Sequence, residues 1–226
     1  MSTGKGVRGA TGRGYIDDVN SGQAERGAGG ARPSLRAEQV AQTRAALVAA
    51  GRHLFGRQGF ADTSVDEIAR QARVTTGALY HHFPTKAALF EAVFEQLHMD
   101  ILAASGAAAA GARDELEFLG RAFEAFLDAI MEPAAQRILV TDAPAVLGLA
   151  RFTELDEKFA FAAIAERLRA ARDAGRLRVD DPDTLARLFL GALTRGSMLI
   201  AASGQPRATR DEVARTVRTM LQGLST

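Results

Sequence analysis

The chain has 226 residues, with 28 Lys and Arg against 27 Asp and Glu, 47% apolar residues and no Cys or Trp. This composition is typical of a soluble protein with a hydrophobic core, and the length suits one long domain or two short ones. The absence of cysteine excludes disulfides, thiolate metal sites and cysteine nucleophiles. No stretch approaches the roughly 18 consecutive apolar residues of a membrane span, and the N-terminus lacks the apolar block of a signal peptide. We therefore expect a cytoplasmic protein with no membrane partner.

Charge is distributed unevenly along the sequence. Residues 1–86 have 12 basic and 7 acidic side chains, a net charge of +5, whereas residues 87–226 have 16 basic and 20 acidic side chains, a net charge of −4. A basic N-terminal third suits binding to phosphate, although an excess of this size is also common on surfaces that bind nothing.

The first 33 residues differ in composition from the rest. They contain nine glycines, scattered Arg and Lys and few large apolar side chains. Such a segment cannot offset the entropy lost on ordering, so residues 1–33 are predicted to be a disordered tail. Its basic residues can track a phosphate backbone loosely, and a solvated extension is the simpler alternative.

From Ser34 onward apolar residues recur at spacings of three and four, the period of a helix, and no strand alternation is present. The pattern predicts helices from Ser34 to Gly59, Ser64 to Ala72, Thr75 to Phe83 and Thr85 to about Leu102, then a flexible connector over 103–112. Further helices are predicted from Asp114 to Met131, Ala134 to Val140, Ala143 to Ala174 with a break near Gly148, Asp183 to Ser203 and Thr209 to Leu224. The predicted fold class is all-α.

The segment Ser64 to Lys86 has the most specific pattern. Ser64 followed by Glu67 forms a capping box, which marks the start of a helix. A turn at Arg73 leads to a second helix with Thr75 as its N-cap, which Pro84 ends. Two short helices joined by a turn of three or four residues are a helix-turn-helix.

The second of these helices has polar groups on its exposed side, while Leu79 and Phe83 anchor it inward. Donors near a helix N-terminus suit insertion into a DNA groove, and the missing Cβ of Gly77 allows a close backbone approach. Lys86, in the first turn of the next helix, is expected to place its ammonium and the free N–H groups there on one phosphate.

The motif Thr75 to Lys86, with Ala87 to Phe90 after it and Phe55 to Ala69 before it, resembles the signature of the TetR-type family of one-component transcriptional regulators. The similarity extends over residues 36–100. It implies a three-helix helix-turn-helix DNA-binding domain over 34–84, a linking helix over 85–104 and a helical effector-binding and dimerisation domain over 105–226. The DNA-binding residues that it implies are Arg44, Ser64, Arg73, Thr75, Thr76, Gly77, Tyr80, His81, His82 and Lys86.

Two positions depart from the family pattern. Arg73 stands where the family most often has Gly, so a left-handed backbone there would cost about 1 kcal/mol. Its charge can instead reach DNA. Thr76 stands where Lys or Arg is common, which removes one phosphate contact.

The C-terminal part combines large rings with many alanines, which leaves either interlocked packing or a cavity between helices. Plain core is the simpler interpretation for any single Phe, but the resemblance implies an effector pocket, which would favour a hydrophobic or aromatic ligand. The candidates are Phe94, Phe123, Phe126, Met131, Arg137, Asp142, Phe152 and Phe159, with Arg151 as a further polar candidate. The resemblance also implies a homodimer formed by the last two helices, with Leu188, Ala192, Leu199 and Val217 at the interface.

These features predict a sequence-specific DNA-binding transcriptional repressor that a small effector releases from a palindromic operator. The alternatives are a constitutive DNA-binding protein without a ligand response, and a small all-helical enzyme or ligand carrier. The sequence contains no G-x-S-x-G, P-loop or H-E-x-x-H motif, so we expect no enzyme. His81 and His82 lie about 100° apart on a helix, which is a poor arrangement for a shared metal. We expect neither a metal nor a cofactor.

Overall fold

A computed structural model describes residues 34–226, and every regular element in this part of the chain is a helix. The tail predicted over 1–33 lies outside the described residues. Four helices come first: α1 Leu35–Gln58, α2 Val65–Gln71, α3 Thr76–His82 and α4 Lys86–Ala108. The others are α5 Glu115–Ile130, α6 Pro133–Gln136, α7 Ala143–Leu147, α8 Leu149–Asp156, α9 Ala162–Asp173, α10 Pro182–Ala201 and α11 Pro206–Leu224. The all-α prediction is confirmed.

Side-chain caps fix most helix starts where the sequence predicts them. The hydroxyl of Ser64 accepts the backbone N–H of Glu67 at 3.2 Å, and the Glu67 carboxylate accepts the N–H of Ser64 at 3.0 Å, which completes the predicted capping box. The backbone and hydroxyl hydrogen bonds from Ser64 lower the pKa of Glu67. Side chains that accept N–H groups at other helix starts are Ser34, Thr75, Thr85, Asp114 and Asp181. Each such cap is worth about 1 kcal/mol.

Two regions differ from the sequence-based prediction. Residues 103–108, predicted to be part of a flexible connector, continue α4, because Ala has the highest helix propensity of all residues. The helices predicted around Pro133 and from Ala143 to Ala174 are interrupted by two π-helical turns, Arg137–Asp142 and Glu157–Phe161. A π turn is a single-turn departure from the α-helical hydrogen-bond pattern, and the sequence analysis predicts neither of these two. The break at Gly148 is present, with φ at +77°.

The buried side chains form two clusters joined by α4. The first joins α1–α3, which we call the head, to α4 and to side chains from α5–α8, and includes Phe55, Leu79 and Phe90. The second lies in the body, α5–α11, and includes Leu127 and Phe189. The residues from α4 pack in both, with Phe90 and Phe94 in the first cluster and Leu102 against the second. A shift of α4 therefore reaches both the head and the body.

Candidate DNA-binding surface, effector cavity and dimer face

The helix α3 presents polar side chains outward on an apolar anchor. Leu79 is fully buried and Phe83 is nearly so, which fixes the helix on the head. The phenol of Tyr80 is 49% exposed, His81 is exposed and His82 is half-buried. The face that the sequence predicts to meet DNA is therefore accessible in this chain.

The first turn of α3 holds the residues predicted for groove recognition. The Thr75 hydroxyl accepts the N–H of Ala78 at 3.1 Å, and the Thr76 hydroxyl donates to the Asp66 carboxylate at 2.8 Å. These bonds hold both side chains in fixed rotamers beside Gly77, where an added Cβ would meet only the Thr75 hydroxyl, at 3.9 Å. Ser64 is exposed nearby, with its hydroxyl bonded to Glu67.

Lys86 has a different role from the predicted one. Its ammonium donates to the carbonyls of Phe60 at 2.8 Å and Thr63 at 2.9 Å, and it lies 4.2 Å from the centre of the Phe60 ring. The ammonium therefore joins α4 to the α1–α2 loop, and the prediction that it meets a phosphate is corrected. The free N–H groups at the start of α4 remain suited to an anion.

Both arginines among the predicted DNA-binding residues are solvent-exposed. The guanidinium of Arg44 lies 5.1 Å from the centre of the Phe83 ring and Arg73 occupies the turn between α2 and α3. Arg73 has φ at +58°, the left-handed conformation that the sequence analysis anticipated at this position.

Arg73→Gly is expected to raise the free energy of unfolding by about 0.5–1 kcal/mol, because Gly adopts this backbone conformation without a Cβ clash. Urea unfolding measures the change. Arg70→Gly, in the last turn of α2, removes the same charge from a helical position and should destabilise instead. Equal losses in the two variants would contradict the expectation.

A cavity of about 230 Å³ lies between α4, α5, α9 and α10 in the body. Phe123, Phe126 and Phe159, three of the candidate effector residues, line it. A neighbouring cavity of about 30 Å³ is lined by Phe94 and Phe152. The lining residues common to both cavities are His98, Phe126, Asp156 and Thr194.

Four predicted effector residues do not line either cavity. Met131 packs on the second buried cluster. Arg137 donates to the Arg57 carbonyl at 2.6 Å, and Asp142 accepts the N–H of Phe60 at 2.8 Å. Arg151 pairs with Glu91 and Glu154. The polar candidates Arg137, Asp142 and Arg151 point away from the cavities because their partners lie in α1, α4 and the loop after α1. No local sequence pattern indicates these partners.

Arg137 and Asp142 instead form the junction between head and body. Both lie on the first π turn and bind the end of α1 and the loop after it. Beside them Gly56 packs so closely that an added Cβ would lie 2.6 Å from the Cβ of Ala134. Because Leu139 and Val140 of the same turn line the small cavity, this turn touches both the cavity and the head.

The polar groups in the cavity are the residues that sequence reasoning missed. His98 is 4% exposed, and its Nε2 lies 3.7 Å from the Asp156 carboxylate, too far for a hydrogen bond. Asp156 accepts the Thr194 hydroxyl at 2.9 Å. Burial lowers the pKa of His98 to about 4 and raises that of Asp156 to about 6. The available signal was the helical spacing of His98 with Phe94 and Ile101, which places it on the inner face of α4.

His98→Gln is expected to change the pH dependence of stability. Unfolded His98 binds its proton near pH 6.5 and folded His98 near pH 4, so acidification between these values destabilises the wild type. Folding raises the pKa of Asp156, so its protonation on acidification stabilises the folded protein, which is opposite to the effect of His98. The stability of His98→Gln relative to wild type should therefore rise by about 1.4 kcal/mol per pH unit on acidification between these values. Urea unfolding at several pH values measures the free energy of unfolding of each protein. The control is His53→Gln, which replaces an exposed histidine. Parallel plots of this free energy against pH for His98→Gln and wild type would contradict the expectation.

One face of α10 exposes apolar side chains, with the exposed Arg195 among them. Leu188 and Leu199 are 64% and 46% exposed, with half-buried Ala192 between them. Val217 of α11 is buried inside the chain, so its predicted place at an interface is corrected. Met220, which the sequence analysis did not select, is exposed on α11. By length and composition α10 alone among the described helices is apolar enough to cross a membrane, and its inner face is packed in the second buried cluster.

Comparison with known proteins gives a consistent assignment. Residues 47–93 match the model described as bacterial regulatory proteins of the tetR family, and residues 116–224 match the one described as a tetracyclin repressor-like C-terminal domain. The crystal structure of a TetR-family transcriptional regulator from Pectobacterium atrosepticum superposes with a TM-score of 0.75 at 32% identity, covering 84% of this chain and 97% of that one.

Curated relatives agree with this. The transcriptional regulator UidR of Escherichia coli K12 is 27% identical over 195 residues, covering 81% of this chain and 93% of UidR. The probable regulator ArpR of Pseudomonas putida is 40% identical over 85 residues, and the chain spans 39% of ArpR in that match. It likewise spans 29% of TtgR of the same species, at 41% identity. The chain belongs to the TetR family of DNA-binding transcriptional regulators.

Proposed function

We propose that this protein is a repressor that binds a palindromic operator as a homodimer and leaves it when a small hydrophobic or aromatic effector fills the body. The observation that carries the proposal is one helix, α4, which starts beside the exposed helix α3 and supplies Phe94, His98 and Leu102 to the cavities. The curated relatives support the regulatory role. Such a protein would act in the cytoplasm.

The DNA contacts follow from the exposed groups of the head. Thr75, Thr76, Tyr80 and His81 would meet base edges or phosphates in the major groove. The phosphate contacts that we assign are Arg44, Arg73, His82 and the free N–H groups at the start of α4. Gly77 and Ser64 would lie close to the backbone of the DNA. A two-fold dimer places two such helices about 34–36 Å apart, or a multiple of one DNA turn.

The dimer would form through α10 and α11. Leu188, Ala192 and Leu199 lie on one stripe of α10, since residues four, seven and eleven apart share a helix face. Such an exposed apolar stripe on a helix suits burial against a second copy, where two helices from each chain would make a four-helix bundle.

Release would act through two connections. A ligand between α4 and α5 shifts the wall that α4 forms, and α4 carries this shift to the head. The first π turn offers a second route, because it touches the small cavity and binds the loop after α1. A coupling of about 1–3 kcal/mol changes operator affinity about 5- to 150-fold.

The test is a titration of the purified dimer with operator DNA obtained by selection from random duplexes. Fluorescence anisotropy should show a Kd that rises at least fivefold when a hydrophobic or aromatic compound that binds the protein is added. Tyr80→Phe should weaken binding across sequences, and Thr76→Ala should change operator preference more than affinity. A protein that binds DNA with an affinity that no bound compound changes would instead be a constitutive DNA-binding protein.

A further inference from the structure

The larger cavity contains polar atoms without partners. Among the described residues, neither Nδ1 of His98 nor the hydroxyl of Ser105 has a hydrogen-bond partner, and both residues are 4% exposed. They lie seven residues apart on α4, so they share one face of the helix, and both line the cavity. A buried polar atom without a partner is unfavourable, and a ligand that supplies the missing hydrogen bond gains affinity.

The rings around His98 hold it in place. Its imidazole lies 5.5 Å from the Phe94 ring and 5.8 Å from the Phe159 ring, measured between centroids. Phe123 and Phe126 line the same cavity. A flat ring therefore finds aromatic surfaces beside a fixed polar group, and aromatic pairs gain energy beyond the area they bury.

The charged groups of the cavity disfavour a negatively charged ligand. Arg167 binds Glu115 at 2.7 Å, and its guanidinium lies 4.0 Å from the centre of the Phe118 ring. Its positive charge is therefore already balanced. Asp156 accepts the hydroxyl of Thr194 and faces the cavity. Among residues 34–226 no basic side chain donates a hydrogen bond to it, and the nearest, Nε2 of His98, is 3.7 Å away. A carboxylate ligand would meet this like charge in a poorly solvated space.

Resting on the effector response proposed above, we infer that the cavity binds an aromatic molecule with a hydroxyl group and no negative charge, which His98 and Ser105 recognise by hydrogen bonds. A hydroxyl both donates and accepts hydrogen bonds. It can therefore pair with Nδ1 in either tautomer of a neutral imidazole, and with the Ser hydroxyl. The ring packs against Phe123, Phe126 and Phe159. His98 and Ser105 are then the residues that determine specificity.

The experiment compares three probes of similar size on the purified full chain by isothermal titration calorimetry. These are 2-naphthol, 2-methylnaphthalene, which replaces the hydroxyl by a methyl group, and 2-naphthoate, which replaces it by a charge. We expect 2-naphthol to bind at least about fivefold more tightly than 2-methylnaphthalene, the ratio that one net hydrogen bond gives. We expect no measurable binding of 2-naphthoate.

Variants locate the preference. His98→Phe and Ser105→Ala should each bring the ratio of the two affinities toward one, with the affinity for 2-methylnaphthalene kept. Loss of folded structure would lower the affinities for both probes equally and leave the ratio of the two affinities unchanged. Ser197→Ala is the matched control, because this buried hydroxyl already donates to the Leu193 carbonyl at 2.9 Å. It should retain the wild-type ratio. If His98→Phe does not fold, Ser105→Ala decides alone.

Equal affinities of the two neutral probes for the wild type, no binding of either, or an unchanged ratio in both variants would overturn the inference. The proposed function fails separately. If 2-naphthol binds with the expected hydroxyl preference but leaves operator affinity unchanged, the ligand site stands and the release mechanism is wrong.

Discussion

Replacing Leu188 and Leu199 together by Glu is expected to lower operator affinity by at least about 100-fold. Once one head of a dimer has bound its half-site, the other head is held at a high effective concentration near the second half-site. This raises the overall affinity for the operator by about 10²–10⁴-fold. Charges on the exposed α10 face would prevent burial of that face against a second copy. Sedimentation and operator titration on the same sample measure the two effects together.

The control is Met99→Glu, which places one such charge on an exposed apolar position of α4. This variant should remain dimeric. Because Leu188 and Leu199 are exposed in the chain, their replacement should leave the helix content of the chain close to wild type. A monomer that still binds the full operator at wild-type affinity would contradict the proposed dimer face.

The double variant Arg137→Ala/Asp142→Ala is expected to uncouple the effector from the DNA. It removes the two side chains by which the first π turn binds the head, at 2.6 Å and 2.8 Å. The 5- to 150-fold change in operator affinity on effector binding should fall to a few-fold, the part that α4 carries alone. Neither residue lines the two cavities that contain His98, so the effector Kd measured without DNA should remain within a factor of about three.

An ion pair within the body provides the control for this variant. Arg169 and Asp183 join α9 to α10 away from the head, with both contacts at 2.8 Å. Arg169→Ala/Asp183→Ala should respond to the effector as wild type does. If the junction variant also responds as wild type does, α4 alone transmits the signal and the role of the π turn is wrong.

Local chemistry explains which parts of the fold the sequence predicts well. The capping box at Ser64, the N-cap at Thr75 and the left-handed residue at Arg73 depend on neighbours within a few positions. Such interactions can be inferred without knowledge of the fold. The helix-turn-helix and its exposed α3 follow from them.

The remaining features depend on contacts between distant residues. Lys86 binds carbonyls 23 and 26 residues before it, and Asp142 binds an N–H 82 residues before it. His98 gains its importance from Asp156 and from a cavity formed by several helices. A one-dimensional pattern identifies these residues as polar positions on helices, but their partners appear only when the helices pack. Predicted phosphate and effector roles for Lys86, Arg137 and Asp142 therefore failed.

The central claim is that paired α3 helices read duplex DNA, and selection of bound duplexes from a random pool tests it most directly. Wild-type protein should enrich a palindrome whose half-sites are separated by one or more whole DNA turns, and Thr76→Ala should enrich a sequence altered within the half-sites. Enrichment of a non-palindromic sequence would contradict this claim. It would also be contradicted if wild type and Thr76→Ala enriched the same sequence and Tyr80→Phe bound DNA as wild type does.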